Sequence, residues 1–384
     1  MRAALFSLFL LLLLLLTSGL SPARAEPPPF RQGVNLSHWL QYTGRQPVNP
    51  ADMRLIAKAG FDHVRIPFDP DFLGWLPGGA EPLPKVALLE NAVDMALAAG
   101  LAVIVDFHPE ASLEASIESN AGTREAFLRL WTWLAARLAN RPADRVAFEI
   151  LNEPQYYNRP AAAWDQLQHE AVRAIRRVAP ENRLLLTGIH GSGIAGLERL
   201  TPVADPHILY VFHFYDPQLL THQGANWPPY PERAEGMMRG LVYPAAEMSL
   251  AKVELRPGAD IGLVTQSVRQ YLDAGWGAET IRGRIDVARQ WARRQHTELF
   301  ATEFGALRGS LSPLSRIRWL ADVRKALDDA SIGWTVWDYA DLFGVAETTG
   351  AVERLDDGTA IALDGTRIER RFDPEILKAL GLRP

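Results

Sequence analysis

The chain has 384 residues, of which 48% are hydrophobic, so it is long enough for one large domain or two medium domains with a real core. Its net charge of −5, without a long basic run, argues against a nucleic-acid partner. It contains no cysteine, which excludes disulfides, thiolate metal sites and lipoprotein acylation but leaves export open.

The amino terminus has the pattern of an export signal. Arg2 precedes an apolar run over residues 3–16, and Ala23-Arg24-Ala25 fits the small-x-small rule of signal peptidase. We predict cleavage after Ala25, which leaves a mature domain over 26–384. An uncleaved anchor is the alternative, but the run is short for a membrane span and no second apolar stretch is long enough. The protein is therefore expected in the periplasm or outside the cell, without a stable membrane anchor.

Strand and helix patterns alternate along the first half of the mature chain. Apolar, β-branched runs that end at Gly, Pro or polar residues predict strands, and longer periodic segments with capping residues predict helices. The predicted strands are 33–39, 63–67, 102–108 and 146–154, and the predicted helices are 50–59, 83–99, 123–139 and 161–178.

The second half repeats the alternation around one long interruption. The predicted strands are 184–187, 208–215, 299–303 and 332–337, and the predicted helices are 280–294, 314–330 and 374–380. Residues 216–278 are predicted to be a long loop that carries Trp227 and Trp276. Long loops at the carboxyl face of a barrel are usually functional or form a lid.

Eight nearly continuous apolar strands that alternate with helices indicate a parallel sheet, and the number eight indicates a closed (β/α)8 barrel in one domain. A doubly wound open sheet is the alternative fold. No GxGxxG turn follows the first strand and no Gly-rich phosphate loop is present, so no nucleotide cofactor is indicated. We expect neither a metal nor another cofactor.

Polar and aromatic residues follow the strands at their carboxyl ends, where parallel barrels carry their active sites. They are Arg65, His108, Asn152 with Glu153, His213 with Tyr215, Glu303, and Trp337. Each residue has a structural alternative when taken alone: a lone His is usually a satisfied polar group, a lone Trp is usually core, and Arg65 could be a buried ion-pair partner. Their collection on one face favours a common site.

Two carboxylates from different strands, with an aromatic floor and no metal-binding motif, suit glycoside cleavage. An Arg65 near Glu303 would lower the pKa of that carboxyl and keep it ionised as a nucleophile. Partial burial would raise the pKa of Glu153, as a general acid requires. Tyr215 could donate a hydrogen bond to the nucleophile, and Trp337 could stack on a sugar.

The set of strand-end residues resembles that of the family 5 glycoside hydrolases, which belong to a retaining clan with a (β/α)8 barrel. The eight matches, in type and order, extend from about residue 33 to 344. The resemblance implies that Glu153 is the acid/base and Glu303 the nucleophile, and that the substrate is a β-linked glucan or mannan.

Endoglucanase is the commonest activity that this resemblance implies. Residues 221–227 resemble a loop of bacterial cellulase-like members, which favours β-1,4-glucan. The alternatives are a β-mannanase, a β-1,3-glucanase or transglycosylase on the same fold, and a non-catalytic carbohydrate-binding protein. We expect a monomer.

Other residues have two interpretations. His38 and Trp39 end the first strand and could line the non-reducing subsites, although Trp39 could equally be core. Trp227 is predicted to stack on a sugar ring.

Three inward residues lower in the barrel are expected to form a structural network, because buried charges need partners: His63, Asp106 and Glu149. Two residues after the last strand could touch a sugar hydroxyl or cap a turn: Asp338 and Asp341. Four tryptophans on helix patterns are expected in the core or between helices: Trp131, Trp133, Trp164 and Trp291.

The geometry of a narrow barrel mouth also predicts the distance between the carboxylates. Inward side chains from the fourth and seventh strands should bring Glu153 and Glu303 to about 5–5.5 Å of each other, the separation typical of retaining enzymes. That gap leaves no room for an attacking water between Glu303 and the sugar.

Overall fold

Eight parallel strands close into a barrel in which each strand pairs with its sequence neighbours and the last pairs with the first. The computed structural model describes residues 30–42, 48–79, 83–248, 253–349, 352–354, 360–362 and 369–384. The predicted export signal lies outside these residues. The strands are β1 (Gln32–Asn35), β2 (His63–Phe68), β3 (Ala102–Phe107), β4 (Val146–Glu149), β5 (Leu184–Thr187), β6 (Ile208–Phe214), β7 (Leu299–Phe304) and β8 (Gly333–Val336). The predicted (β/α)8 barrel is confirmed, and the alternative of a doubly wound open sheet is wrong.

Alternation along the strands separates two hydrophobic clusters. On β3, Val103 and Val105 belong to the cluster between the barrel and its helices, whereas Ala102 and Ile104 belong to the cluster inside the barrel. The same period of two turns Asp106 inward, one layer closer to the carboxyl end. The inner apolar cluster therefore supports a charged layer directly above it.

Helices surround the barrel. Their bounds are Pro50–Ala59, Val86–Ala98, Ala111–Ser119, Ala121–Leu138, Ala161–Arg176, Ala278–Gln295, Pro313–Asp329 and Pro374–Ala379. The first of them has the predicted bounds. Asn49 and Asp52 form a capping box at its start, and Gly60 ends it at φ 102°, a conformation that glycine adopts without strain. Among the described residues, no helix is both long and apolar enough to cross a membrane.

At the functional end of the barrel, two predicted strand ends are wrong by several residues, and one helix was not predicted. β1 ends at Asn35 rather than at residue 39, because the chain turns and His38 takes φ 63°. β4 ends at Glu149 rather than at 154, and Glu153 lies in the left-handed region at φ 43°. The helix Ala111–Ser119 after β3 was not predicted. These turns direct the strand-end side chains toward the mouth of the barrel.

The interruption predicted to be a loop over 216–278 contains regular structure. It holds the helices Gln218–Thr221, Ala234–Met237 and Ile261–Asp273, the 3-10 turns Tyr230–Glu232 and Ala245–Glu247, and a short antiparallel pair of Met238–Arg239 with Glu254–Leu255. Asp260 caps the start of the longest of these helices, because its side chain accepts a hydrogen bond from the Leu263 amide. Its buried residues Val264, Val268 and Tyr271 follow a helical spacing that anchors it.

Two further antiparallel pairs follow β8. Ala346–Thr349 pairs with Glu369–Phe372, and Val352–Arg354 pairs with Ala360–Ala362. Arg370 of the first pair forms an ion pair of 2.7 Å with the buried Asp52 at the start of the first helix. The end of the chain is thereby attached to the outside of the barrel near β1.

Candidate active site

A buried arginine lies at the centre of the charged layer. Arg65 of β2 is fully buried, and its guanidinium uses all three nitrogens in hydrogen bonds or ion pairs. Its partners are Glu149 (Nε to Oε2, 2.7 Å; Nη2 to Oε1, 2.9 Å), Glu303 (Nη1 to Oε1, 2.7 Å), Asp106 (Nη2 to Oδ2, 3.0 Å), and the amide oxygens of Asn35 and Asn152 (both 2.9 Å). The planar fork thus fixes five side chains, which lie on or directly after four strands: β1, β3, β4 and β7.

Arg65 and the buried carboxylates around it stabilise each other's charged forms. Burial alone would lower the pKa of Arg65, but its carboxylate neighbours raise that pKa well above the ordinary value. Burial raises the pKa of Asp106 to about 7, against the opposing effect of Arg65. Burial likewise raises the pKa of Glu149. Asp106 and Glu149 are therefore structural partners of Arg65, as predicted, and do not face the open mouth.

Glu303 is held by donors on both carboxylate oxygens. Oε1 accepts from Arg65, and Oε2 accepts from the Tyr215 hydroxyl at 2.8 Å, with the His213 Nδ1 at 3.4 Å. Only 5% of its side chain is exposed. Burial raises the pKa of Tyr215 well above its ordinary value, so Tyr215 stays a proton donor. Glu303 is thus a fixed carboxylate surrounded by donors.

Glu153 has a different environment. Its side chain is 37% exposed at the barrel mouth, and its Oε1 lies 2.7 Å from the His213 Nδ1. The limited hydration of this site raises the pKa of Glu153, against the opposing effects of His108 and Arg65. The separation from the second carboxylate is short: one oxygen of Glu153 and one of Glu303 lie within 4.8 Å.

His213 is neutral at neutral pH, because burial lowers its pKa to about 4. The acceptors near Nδ1 are carboxylate oxygens of Glu153 and Glu303, so we assign the single ring proton to Nδ1. The ring therefore donates to Glu153 and adds no full positive charge. Acid–base and nucleophilic chemistry at this site therefore falls to the carboxyl groups of Glu153 and Glu303.

A chain of hydrogen bonds orients Asn152. Burial lowers the pKa of His108 to about 4, so this ring is also neutral. Its Nδ1 donates to Asp106 at 2.9 Å, and its Nε2 accepts from the Asn152 amide nitrogen at 3.1 Å. The Asn152 oxygen accepts from Arg65. These hydrogen bonds fix the amide beside Glu153.

An aromatic wall stands at the β8 and β1 side of the mouth. Trp337 is half-buried and stacks on His108, with ring centroids 6.0 Å apart and planes 22° apart. His38 meets the edge of Trp337, and its Nδ1 lies 2.6 Å from the Asp341 carboxylate. The fully buried Asp338 caps the following turn by accepting from the backbone amides of residues 341 and 343. Of the two interpretations for that aspartate, the turn cap is the one that the contacts support.

The remaining predicted aromatic residues divide between site and core. Trp39 packs, half-buried, against the main hydrophobic core. Trp227 is half-buried and packs on Tyr230 and Phe343, in a cluster that also contacts Tyr215 and Trp337. Trp276 packs against the main core instead. The structure therefore brings Trp227 to the mouth and leaves Trp39 and Trp276 with packing contacts.

Two supporting residues of the site are not among those predicted from the sequence. Asn35 on β1 pairs in register with Arg65, and besides accepting from Arg65 it donates to the carbonyl of Thr302 at 3.0 Å. Its inward position in the first strand was the available signal. His222 is buried between Tyr215 and Tyr230, with ring centroids 5.0 and 4.9 Å away. Its position within residues 221–227 could have been recognised, but its contact with Tyr215 depends on tertiary structure.

The arrangement suits acid–base and nucleophilic chemistry on a molecule in the mouth of the barrel. It combines one fixed carboxylate, one partly exposed carboxyl with a raised pKa, and an aromatic wall. One ligand atom each from Glu153, His213 and Glu303 lies within 4.8 Å of the others, so these three side chains could also hold a metal ion.

Comparison with known proteins places these features in a family. The model of the family described as Cellulase (glycosyl hydrolase family 5) matches residues 26–342. Endoglucanase C of Acetivibrio thermocellus is 26% identical over 326 residues, which are 81% of this chain and 91% of that protein. Endoglucanase 3 of Fibrobacter succinogenes is 25% identical over 349 residues, and the match spans 86% of this chain but only 52% of that relative.

Solved structures with the same fold include a hyperthermophilic endo-β-1,4-glucanase in complex with substrate, with a TM-score of 0.70 and 21% identity over 92% of this chain and 97% of that chain. The Clostridial cellulose synthase subunit Z from Clostridioides difficile has a TM-score of 0.70 and 21% identity, over 91% of this chain and 99% of that chain. At these identities the likeness supports the barrel fold alone.

Proposed function

The chain belongs to glycosyl hydrolase family 5, the cellulase family, and from that premise we propose that it is an endoglucanase that hydrolyses β-1,4-glucan with retention of configuration. It is a glycoside hydrolase by family. The names of its relatives, among them Endoglucanase C and Endoglucanase 3, support the choice of β-glucan within that class.

The single observation that carries the mechanism is the different surroundings of two carboxyl groups that lie so close together. Glu303 accepts from Arg65 and Tyr215 and is almost fully buried, whereas Glu153 is 37% exposed and has a raised pKa. Donors stabilise an ionised group, and a raised pKa keeps a group protonated until it is needed. We therefore assign the nucleophile to Glu303 and the acid/base to Glu153.

In the first step, Glu303 attacks the anomeric carbon while Glu153 gives its proton to the leaving oxygen. The bond between the anomeric carbon and that oxygen breaks, and a glycosyl ester on Glu303 forms. In the second step, Glu153, now ionised, removes a proton from water. The water oxygen replaces Glu303 at the anomeric carbon, and Glu153 recovers its proton.

The short gap between the carboxylates supports retention rather than inversion. Oxygens within 4.8 Å of each other are near the roughly 5–5.5 Å of retaining enzymes and well below the roughly 6.5–9.5 Å that makes room for water in inverting ones. Two displacements at the same carbon return its original configuration.

Arg65, Asn152 and His213 act as positioning residues in this scheme. Arg65 holds Glu303 and Asn152 at once, and His213 donates to Glu153. Trp337 is the proposed stacking surface for the sugar that reacts. His38 supports it from the edge, at a centroid distance of 6.4 Å.

We also propose that the enzyme is exported after cleavage behind Ala25 and acts as a monomer on polysaccharide. The apolar run over residues 3–16, followed by Ala23-Arg24-Ala25, supports the export part of this proposal. Export is tested by the mass of the mature protein recovered from the periplasm or the medium of the producing cell.

The function is tested by reducing-sugar release from a panel of β-1,4-glucan, mixed-linkage glucan, β-1,3-glucan and mannan. We expect release from the two glucans that contain β-1,4 bonds, and none from any of them with Glu303→Ala. Preference for mannan or β-1,3-glucan would contradict the substrate. No release from any polymer, with binding retained, would instead identify a carbohydrate-binding protein.

A further inference from the structure

The turn that carries Glu153 has an unusual backbone. Glu153 and Tyr156 both lie in the left-handed region, at φ 43° and φ 49°, which residues other than glycine seldom adopt. Pro154, between them, has no amide hydrogen to donate. Such conformations persist only where surrounding contacts fix them, so the contacts of this turn determine where the acid/base lies.

The side-chain contacts of Glu153 do little to fix it. Within the described chain, its carboxyl group has one hydrogen-bond partner, the Nδ1 of His213 at 2.7 Å, and 37% of its side chain is exposed. Glu303 differs, because both of its carboxylate oxygens accept hydrogen bonds. The position of Glu153 therefore depends more strongly on its backbone than that of Glu303 does.

Two glutamates of a neighbouring helix hold the turn by its backbone amides. Glu114 Oε1 accepts from the amide of Gln155 at 2.6 Å, and Glu118 Oε1 accepts from the amide of Asn158 at 2.9 Å. Both glutamates belong to the helix Ala111–Ser119 and, being four residues apart, lie on one face of it. The helix that follows β3 thus supports the turn that follows β4.

Gln155 connects this support to Glu153. Its backbone amide donates to Glu114, and its side-chain amide donates to the Glu153 carbonyl at 3.0 Å. The next ring along the chain, that of Tyr156, is buried and packs on Trp164 with centroids 5.5 Å apart. Removal of the Glu114 side chain would leave the Gln155 amide without its acceptor in a partly buried place, two residues from the acid/base.

The contact between Glu114 and the turn needs no charge. Burial raises the pKa of Glu114 to about 7, against the Gln155 amide, and the charges of Glu153 and Glu118 raise it further. Below about pH 7 the group is therefore mostly neutral. The carbonyl oxygen of a neutral carboxyl accepts a hydrogen bond as the oxygen of a glutamine amide does, so glutamine matches this form of Glu114 in shape and in acceptor.

Resting on the proposed function, we propose that Glu114 is a positioning residue for the acid/base. Its hydrogen bond with the Gln155 amide fixes the turn from which Glu153 reaches the leaving oxygen. A general acid must lie within hydrogen-bond distance of the atom that it protonates, and small displacements of reacting groups reduce the rate strongly. Glu114 acts through the backbone and does not transfer the proton itself.

The test compares kcat/KM for two substrates in the wild type and in Glu114→Ala. Cellohexaose has a sugar as its leaving group and needs the proton of Glu153, whereas 2,4-dinitrophenyl β-cellobioside releases a phenolate that leaves without one. We expect kcat/KM for cellohexaose to fall roughly 5- to 30-fold, less than the roughly 10²-fold that a displacement of 1 Å costs. The dinitrophenyl glycoside should change less than about twofold, because its glycosyl-enzyme forms without general acid catalysis.

Matched variants separate the hydrogen bond from other effects. Glu114→Gln keeps an acceptor in the same place and should retain most of the cellohexaose rate. Asp373→Ala is the control, because that carboxylate accepts from the Glu375 amide at 2.8 Å at the start of the helix Pro374–Ala379, outside the barrel. It loses the same kind of hydrogen bond and should leave the ratio of the two rates unchanged.

The thermal midpoint of each variant shows whether folding is affected. If Glu114→Ala does not fold, Glu114→Asp takes its place, because its shorter side chain withdraws the acceptor while keeping the carboxyl. A loss confined to cellohexaose in Glu114→Asp supports the positioning role, and the absence of that loss overturns it.

Three results with a folded Glu114→Ala would overturn the positioning role. They are no change in either rate, an equal loss on both substrates, and a Glu114→Gln variant as slow as Glu114→Ala on cellohexaose. The wild type decides the proposed function separately. A wild type that cleaves neither substrate nor any β-glucan rejects the proposed function, whereas an active wild type with an unaffected Glu114→Ala rejects the positioning role alone.

Discussion

At the scale of single residues, the acid/base assignment predicts a selective defect. Glu153→Gln removes the proton donor and leaves Glu303 with both of its hydrogen bonds. Substrates with poor leaving groups should lose roughly 10²–10⁴-fold in kcat, the usual size of general acid catalysis. Activated aryl glycosides should still form the glycosyl-enzyme, and azide should restore turnover by attacking it. An equal loss on all substrates without rescue by azide would contradict the assignment.

The raised pKa of Glu153 predicts where activity declines at high pH. The acid acts in its protonated form, so a higher pKa extends activity to higher pH, and kcat/KM falls only as pH rises through the shifted value. We expect the alkaline limb of kcat/KM on a poor leaving group to lie above the ordinary pKa of about 4.3 for Glu. Glu153→Gln should lose that limb on an activated aryl glycoside. A wild-type limb at or below the ordinary value would contradict the burial argument.

Arg65 gives a prediction about stability. Three carboxylates share its guanidinium inside the barrel. Arg65→Met should destabilise the fold by about 3–5 kcal/mol, because it leaves buried charges without their partner. Urea unfolding at neutral pH measures this change. Lowering the pH should recover part of the stability of the variant, because protonation neutralises the carboxylates. A variant as stable as the wild type would show that the network does not depend on Arg65.

At the scale of elements, the segment 216–278 is tied to the active site through aromatic packing. Trp227 packs on Tyr230 and Phe343 in the cluster that contacts Tyr215. Trp227→Ala should raise KM for oligosaccharides and, because the ring is half-buried, lower the free energy of unfolding by about 1–3 kcal/mol. Trp227→Phe should retain most of the stability. An unchanged KM with a loss of stability would make Trp227 a purely structural residue.

The elements also show what the sequence could predict. The existence and order of all eight strands followed from apolar runs with clear stop residues, and the helix Pro50–Ala59 followed from its caps. The ends of β1 and β4 could not be predicted, because His38 and Glu153 take left-handed conformations that no local rule assigns to them. Residues 216–278 were predicted to be a loop because their helices are short or separated by proline and glycine.

For the whole molecule, closure of the barrel is what brings the strand-end residues together. Arg65, Glu149 and Glu303 are separated by up to 238 residues in sequence and meet within hydrogen-bond distance. Strand order and inward alternation predict that such residues share one face. They do not predict which neighbour each nitrogen contacts, and that pairing, including the role of Asn35, required the structure.

In the proposed mechanism, Glu303 attacks the sugar and the configuration at the anomeric carbon is retained. A 2-deoxy-2-fluoro cellobioside with a good leaving group tests it most directly, because fluorine slows both steps and lets the glycosyl-enzyme accumulate. Peptide mass spectrometry should locate the added sugar on Glu303, and the NMR spectrum of the first product should show the β-anomer. An adduct on another residue, or the α-anomer as the first product, would contradict the account.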